Sequence, residues 1–188
     1  MTTLICGSLA FDTIMNFEGR FQEQILPDQL HILNVSFLVP TLRRDFGGCA
    51  GNIAYALKVL GGHPLPMATL GNDGQDYLQR LQDLQISTQF VRQIGDTYTA
   101  QAMIMTDRDN NQITAFHPGA MTSAHLIQIQ SHPDIKLGII SPDGRDAMLE
   151  HAQQFKSLDI PFVFDPGQGL PMFAVSYTHL TLPTILRV

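Results

Sequence analysis

The sequence predicts an α/β fold in which helices cover both faces of a mainly parallel sheet. Short apolar runs bounded by turn residues predict strands at 3–9, 66–70, 135–140 and 161–165. Apolar residues that recur with the helical period predict helices at 48–60, 74–84, 123–130 and 143–157. Strands that alternate with helices form βαβ units, which bring parallel strands together in one sheet.

A second group of strands interrupts this alternation. Segments 97–106 and 112–117 flank a polar turn at 107–111, a pattern typical of an antiparallel hairpin. Two further strands are expected around 13–17 and 31–38. The sequence therefore predicts a small sheet in addition to the main one.

The helix predicted at 48–60 begins with the most informative residues of the chain. Gly47 and Gly48 precede it, and Asn52 lies one turn inside it. Glycines let another backbone or a ligand come close, and the free amides of a helix start favour polar ligands. This helix start is suited to bind a polar small molecule, although tight turns and close packing are commoner reasons for such glycines. Neither a Walker phosphate loop nor a G-x-G-x-x-G dinucleotide pattern occurs.

Charged residues near this helix have ordinary structural explanations. Asp73 precedes the helix predicted at 74–84 and is expected to be its N-cap. Arg43 and Arg44 are the cations nearest the two glycines in sequence, and we expect them to be solvated surface residues.

Composition excludes several classes of protein. With 44% hydrophobic and 15% charged residues, the 188-residue chain is not a disordered segment. No apolar run approaches the roughly 20 residues of a membrane span, and a net charge of -6 offers no basic surface for nucleic acid. The seven histidines lack metal-binding spacing, so no metal site is predicted. Cys6 and Cys49 without a disulfide framework are typical of a reducing compartment, and a cytoplasmic location is expected.

Four short segments occur in an order that is characteristic of one family. They read LICGSLAFD at 4–12, GGCAGNIAY at 47–55, TLGNDG at 69–74 and FVFDPG at 162–167. Together they resemble the N-terminal part of the ribokinase-like (PfkB) family of sugar and nucleoside kinases, and they look closest to its adenosine or nucleoside kinases. The resemblance implies a Rossmann-type three-layer α/β/α fold. It also implies a small β-sheet lid over the substrate, with lid strands within 12–40 and 97–117.

The resemblance also implies which residues bind the substrate. Asp12 would accept hydrogen bonds from adjacent sugar hydroxyls, although an aspartate after a strand also commonly caps a turn. Gly47 and Gly48 would let the backbone approach the sugar, and the amide of Asn52 would bond to a hydroxyl.

Three further positions are candidates for the same site. Gln101 and Phe116 fall in the predicted hairpin and would cover the base or the sugar, although an aromatic residue in a strand more often serves packing. Asp165 ends the strand predicted at 161–165 and would lie near phosphate and magnesium, although it too could only cap a turn.

A second signature of the family, a glycine-alanine-glycine-aspartate turn, does not occur in these 188 residues. In the family this turn supplies the catalytic aspartate, the anion hole and part of the nucleotide pocket. The resemblance therefore implies that 1–174 is the acceptor-binding part of an ATP- and magnesium-dependent kinase and is inactive by itself. It also implies pairing of two lids in a homodimer.

Two alternatives to an adenosine-like nucleoside kinase stay open. The first is a sugar kinase of the ribokinase or fructokinase type. The second is a non-catalytic module that only binds a small molecule.

The segment 175–188 has a different character from the residues before it. Its sequence VSYTHLTLPT at 175–184 is similar to one reading frame of a transposase adapter used in sequencing libraries. We expect 175–188 to be a non-native, adapter-derived tail, with a genuine short β-rich tail as the alternative.

Overall fold

The structure is a computed structural model that describes residues 2–130 and 132–173. Within these residues the chain forms nine strands: β1 (Thr2–Cys6), β2 (Ala10–Asn16), β3 (Thr41–Gly47), β4 (His63–Leu70), β5 (Phe90–Gln93), β6 (Ala100–Thr106), β7 (Gln112–His117), β8 (Ile135–Ile140) and β9 (Phe162–Phe164). The adapter-like segment 175–188 lies outside the described residues, so the structure does not test its origin.

Four α-helices and three 3₁₀ helices connect the described strands. The α-helices are α1 (Phe21–Gln24), α2 (Cys49–Val59), α3 (Gln75–Asp83) and α4 (Arg145–Ser157). The 3₁₀ helices span Pro27–Ile32, Gly119–Leu126 and Gly167–Met172. None of the helices in the described part of the chain combines the length and apolar character needed to cross a membrane.

The main sheet has five parallel strands in the order β5-β4-β1-β8-β9. All four strands predicted for this sheet are present, with β1 at its centre. The short edge strand β5 was not predicted, because its four residues show no clear alternation of buried and exposed positions. Since the strands are parallel, their carboxyl ends meet along one edge of the sheet.

Two hydrophobic cores lie on opposite faces of this sheet. Leu4 and Cys6 of β1 belong to the core that α4 covers, whereas Ile5 belongs to the core that α2 and α3 cover. This division follows from the period of two along a strand, which sends successive side chains to opposite faces. Helices on both faces confirm the predicted three-layer architecture.

A second sheet projects from the first in the strand order β3-β2-β6-β7. Its β6 and β7 form the predicted antiparallel hairpin, and β2 pairs with β6 in parallel. We call these four strands the lid.

One predicted lid strand is wrong. Residues 31–38 contain the end of a 3₁₀ helix and irregular backbone, and the third strand is β3 at Thr41–Gly47. Prolines at 27 and 40 bracket this region and each fixes one backbone angle. The true strand was hidden because most of its residues are exposed, so it lacks the alternation of a half-buried strand.

The helix predicted at 123–130 is also wrong, because the segment Gly119–Leu126 is a 3₁₀ helix. Its backbone bonds run from Met121 to Pro118 and from Ile127 to Ala124, three residues apart. The hydroxyl of Thr122 donates to the carbonyl of Gly119 and competes with regular helical bonding.

The core beside α4 provides a test of this packing. Phe155 is fully buried and its ring stacks on Phe162 at 5.5 Å between centroids. Phe155→Ala should lower the free energy of unfolding by about 3–5 kcal/mol, because a large cavity would remain. The matched variant Phe116→Ala, at a residue that is 54% exposed, should change it by less than about 0.5 kcal/mol. Urea unfolding measures both, and equal losses would contradict this assignment of the core.

Candidate functional site

Hydrogen bonds join the carboxyl ends of β1 and β8 at the point where the lid begins. The Ser8 amide donates to the carbonyl of Pro142 at 3.3 Å, and the Ser141 hydroxyl donates to the carbonyl of Cys6 at 3.1 Å. A methyl group at Gly7 would overlap the Ser141 hydroxyl. The two strand ends therefore form one tightly packed floor, from which β2 rises into the lid.

Helix α2 begins directly against this floor. Gly48 has φ = 89°, in the region that favours glycine, and a Cβ there would lie 2.5 Å from the carbonyl oxygen of Ser8. The Ser8 hydroxyl accepts from the Cys49 amide at 3.1 Å, and the Ser8 carbonyl accepts from the Ala50 amide at 3.0 Å. Two of the amides expected to face a ligand thus bond to Ser8 instead. Close packing, the alternative considered from the sequence, explains much of the need for Gly48.

Gly47, by contrast, lies against a candidate ligand group. It is the last residue of β3, and a methyl group on it would overlap the carboxylate of Asp12. Asp12 lies in β2, opposite Asp45 of β3, and is half-buried. Burial raises the pKa of the Asp12 carboxyl above its ordinary value, and the charge of Asp45 raises it further.

The lid separates the two hairpin candidates onto different faces. Asp12, Ala102 and Phe116 are paired in one row across β2, β6 and β7, so Asp12 and Phe116 share a face. Gln101 is paired with Phe11 and therefore points to the opposite face, where its amide donates to the Thr13 hydroxyl at 2.7 Å. The structure thus groups Phe116 with Asp12 and leaves Gln101 apart.

Three carboxylates act electrostatically on the start of α2. Burial raises the pKa of the Cys49 thiol, a hydrogen bond with Ser8 opposes this shift, and the charges of Asp165, Asp143 and Asp12 raise it further. Two of these carboxylates, Asp12 and Asp165, were sequence candidates from opposite ends of the chain. The exposed side chain of Asn52 lies on the first turn of the same helix.

Asp165 follows β9 and is exposed. Its amide donates to the carbonyl of Ile140 at 2.8 Å, and its Oδ1 accepts from the Gly167 amide at 2.9 Å. One carboxylate oxygen therefore caps the following turn, as the structural alternative proposed.

Asp143 was missed by the sequence analysis. It follows β8, and burial raises the pKa of its carboxyl to about 7, although a hydrogen bond from the Gly144 amide opposes the shift. Its Oδ2 is buried without a hydrogen-bond partner among the described residues. The pattern Ser-Pro-Asp-Gly at 141–144, directly after a predicted strand, was the signal that could have identified it.

A polar network joins the lid to the main sheet. Arg44 of β3 lies 3.5 Å over the ring of Phe11 and pairs with Oδ2 of Asp73 at 2.8 Å. Asp73 Oδ1 accepts from the Thr99 amide at 2.7 Å, and the Thr99 hydroxyl accepts from the Gly71 amide at 2.9 Å. Asp73 is therefore not the N-cap of α3, which is Gly74. Arg44 is not merely a solvated residue, because it bridges β3 to the turn after β4.

The contact between Gly48 and Ser8 leads to a stability prediction. Gly48→Ala should lower the free energy of unfolding by at least about 3 kcal/mol, because backbone strain and overlap with Ser8 add. Gly61→Ala is the matched control, since Gly61 also has positive φ, at 81°, but has open space around it. It should cost only about 1–2 kcal/mol. Equal losses in urea unfolding would mean that overlap with Ser8 contributes nothing.

The Asp73 network predicts a dependence of stability on pH. Burial would raise the pKa of Asp73, but hydrogen bonds from Thr99 and the charge of Arg44 outweigh it and hold the pKa below the ordinary 3.8. The stabilisation is therefore present above pH 3.8 and is lost as the pH falls through the lower folded-state pKa. Asp73→Asn should lower the free energy of unfolding by about 1 kcal/mol at pH 7, and by less at pH 3.

Urea unfolding at the two pH values measures this difference, with Asp96→Asn at an exposed position as the control. A penalty for Asp73→Asn that is the same at both pH values would contradict the ionic role of Asp73.

The chain is similar to a known protein family and to curated proteins. The family described as pfkB family carbohydrate kinase matches residues 9–183, which includes part of the segment 175–188. A nucleoside kinase of Methanocaldococcus jannaschii is 31% identical over 178 residues, which cover 93% of this chain and 55% of that protein.

Solved structures of nucleoside kinases are similar over nearly the whole chain. The ligand-free Burkholderia thailandensis nucleoside kinase has a TM-score of 0.81 at 57% identity, covering 97% of this chain and 60% of that one. Its complex with inosine gives a TM-score of 0.79 at 55% identity, with 97% and 58% coverage. The nucleoside kinase of M. jannaschii, an archaeal member of the ribokinase family, gives 0.82 at 26% identity, with 97% and 58% coverage.

The chain spans about half the length of the curated relatives it matches. Its architecture is the ribokinase-like α/β fold, with a parallel main sheet and a second, mixed sheet. The match over most of its residues shows that the chain belongs to the pfkB family of carbohydrate kinases.

Proposed function

We propose that this chain is the acceptor-binding part of an ATP-dependent kinase that phosphorylates the hydroxymethyl group of a nucleoside. The observation that carries the proposal is the close approach of the Asp12 carboxylate to Gly47, the last residue of β3 before α2. It lies in a chain 55% identical to a nucleoside kinase whose structure was solved with inosine.

In this proposal the chain's own residues bind and orient the ribose. The Asp12 carboxylate accepts hydrogen bonds from two neighbouring hydroxyls, and the exposed Asn52 amide bonds to one of them. Gly47 carries no side chain that would compete with the sugar for the space beside Asp12. Phe116, on the same lid face as Asp12, covers the base or sugar. Gln101 supports the lid from its other face through Thr13, so it would act without touching the substrate.

Two carboxyl groups would face the phosphate end of the substrate. Asp165 and Asp143 follow the neighbouring strands β9 and β8, and both act electrostatically on Cys49 at the start of α2. We assign to Asp165 the role of ordering water or magnesium beside the transferred phosphate. Asp143, with a pKa of about 7, can offer a proton as well as accept one near neutral pH.

ATP supplies the phosphoryl group in this proposal, with magnesium as its counterion. Within 2–130 and 132–173, no three acidic, histidine or cysteine side chains converge to hold a metal ion. We assign magnesium mainly to the phosphates of ATP, with Asp165 contributing through water. We also propose that the catalytic aspartate belongs to a longer parent protein and that this chain alone does not catalyse transfer.

A nucleoside acceptor is favoured over a sugar by the comparisons. One nucleoside kinase, that of Burkholderia thailandensis, matches at 55–57% identity in its ligand-free, inosine-bound and ADP-inosine-bound structures, whereas two ribokinases match at 19% and 20% identity. Adenosine and inosine share the ribose that Asp12 and Asn52 would bind, so both are candidate acceptors. A non-catalytic binding module is the second candidate, because the described residues can hold a substrate without transferring phosphate.

Two further proposals concern the surroundings of the protein. Cys6 and Cys49 are free thiols, which suits the reducing cytoplasm. Every residue of β7 is exposed, and this edge of the lid is where a second copy could pair.

The proposal predicts the acceptor specificity of the full-length parent. With ATP it should phosphorylate inosine and adenosine far better than ribose or fructose. Asp12→Ala should lower kcat/KM for the nucleoside about 30- to 100-fold, because charge-assisted hydrogen bonds to the ribose are lost. Asp45→Ala, which removes the neighbouring carboxylate of β3, should change it less than about threefold.

Coupled assays of ADP release measure these rates for each acceptor. A strong preference for fructose would contradict the nucleoside kinase and support the sugar kinase. Tight inosine binding by a full-length parent that shows no phosphoryl transfer would instead support the binding module.

A further inference from the structure

One buried tyrosine contacts the candidate site from beneath. Tyr77 of α3 is 2% exposed, and its hydroxyl donates to the carbonyl oxygen of Gly47 at 2.6 Å. Gly47 is the residue against which the Asp12 carboxylate packs. A core residue of a different helix is thus bonded to the backbone of the site.

The packing around Tyr77 fixes the position of its hydroxyl. Its ring meets Phe46 edge-on at 5.2 Å and 86°, and it lies 5.7 Å from Phe11. A methyl group at Gly51 of α2 would overlap the Tyr77 hydroxyl. Gly51 therefore provides the space that lets the hydroxyl reach Gly47.

The direction of this bond determines the direction of the next amide. In a planar trans peptide the carbonyl of one residue and the N–H of the next point in opposite directions. Because the Gly47 carbonyl points into the core toward Tyr77, the Gly48 N–H points away from the core. Both residues that this peptide joins are glycines. Without the hydrogen bond from the Tyr77 hydroxyl, it would rotate more freely than a peptide between residues with side chains.

The charge environment is consistent with this arrangement. Burial raises the pKa of the Tyr77 hydroxyl well above its ordinary value, the charge of Arg80 opposes this shift, and the charge of Asp12 raises the pKa further. The hydroxyl therefore stays a hydrogen-bond donor at any physiological pH, and it lies within electrostatic range of the Asp12 carboxylate.

We propose that Tyr77 is a positioning residue for ribose recognition, which locks the Gly47–Gly48 peptide so that the Gly48 amide and the Asp12 carboxylate face the sugar hydroxyls. This inference rests on the proposed nucleoside function. Tyr77 touches no substrate and acts only through the peptide that it holds.

The test compares two ligands that differ only at the ribose. Inosine carries the 2′ and 3′ hydroxyls, and 2′,3′-dideoxyinosine lacks both. Tyr77→Phe keeps the ring and removes the hydroxyl, so it should weaken inosine binding about tenfold, the equivalent of one hydrogen bond. Binding of the dideoxy compound should change less than about twofold. Isothermal titration of the 188-residue chain measures both affinities.

Tyr55→Phe is the matched control, because Tyr55 lies on α2 and is 46% exposed. It should leave both affinities unchanged. A second measurement follows the Gly48 amide by ¹⁵N NMR without ligand. Its resonance should shift and broaden in Tyr77→Phe and stay in place in Tyr55→Phe.

The outcomes distinguish the positioning role of Tyr77 from the proposed nucleoside-binding function. An equal loss of affinity for both ligands, or an unchanged Gly48 resonance, overturns the positioning role while inosine binding by the wild type still supports a nucleoside site. If the wild-type chain binds neither ligand, the nucleoside-binding function fails for this chain, and ribose positioning fails with it.

Discussion

The contact between the backbone of Gly48 and the turn after β1 is the constraint on which the rest of this structure depends. A side chain at Gly48 would meet the Ser8 carbonyl and the Ala10 amide at 2.5 and 2.6 Å. Because these atoms touch, α2 begins directly at the point where the chain leaves the main sheet for the lid. The Ser8 hydroxyl and carbonyl then satisfy the first amides of α2. A candidate ligand group on β2 is thereby fixed relative to the main sheet, although it belongs to the lid.

This close packing has an electrostatic cost, because it buries carboxyl groups. The folded-state pKa values of Asp12 and Asp143 are raised, mainly by burial. For each group the ionised form is less favourable in the folded chain than in the unfolded chain, so stability increases as the pH falls through the raised value. At neutral pH the fold therefore holds these carboxyl groups at some expense of stability. Such an expense is typical of functional sites rather than of surface ion pairs. Asp73 shows the opposite case, since its partners Thr99 and Arg44 favour the charged form.

The sequence was a good guide wherever local pattern decides structure. Apolar runs and helical periods identified four strands of the main sheet, the helices α2, α3 and α4, and the lid hairpin. It failed where contacts between distant residues decide. The charged strand β3 is held by pairing with β2, which no local pattern reveals. The 3₁₀ helix at Gly119–Leu126 is joined to a distant segment by the hydrogen bond from the Ala120 amide to the Tyr98 carbonyl. The bonds of Tyr77 to Gly47 and of Asp73 to Thr99 join residues 30 and 26 positions apart.

The candidate site consists of two groups of residues that come from different parts of the chain. Asp12 and Gly47 belong to the lid strands β2 and β3, and Ser8 and Tyr77, which hold the backbone around them, belong to the turn after β1 and to α3. Asp143 and Asp165 follow β8 and β9, which lie on the other side of the central strand. Ser8 and Tyr77 fix the backbone of the first group, and the proposed sugar contacts all come from this group. The second group meets the first at the carboxyl ends of the strands, so in the proposed function acceptor recognition and phosphate handling should be separable by substitution.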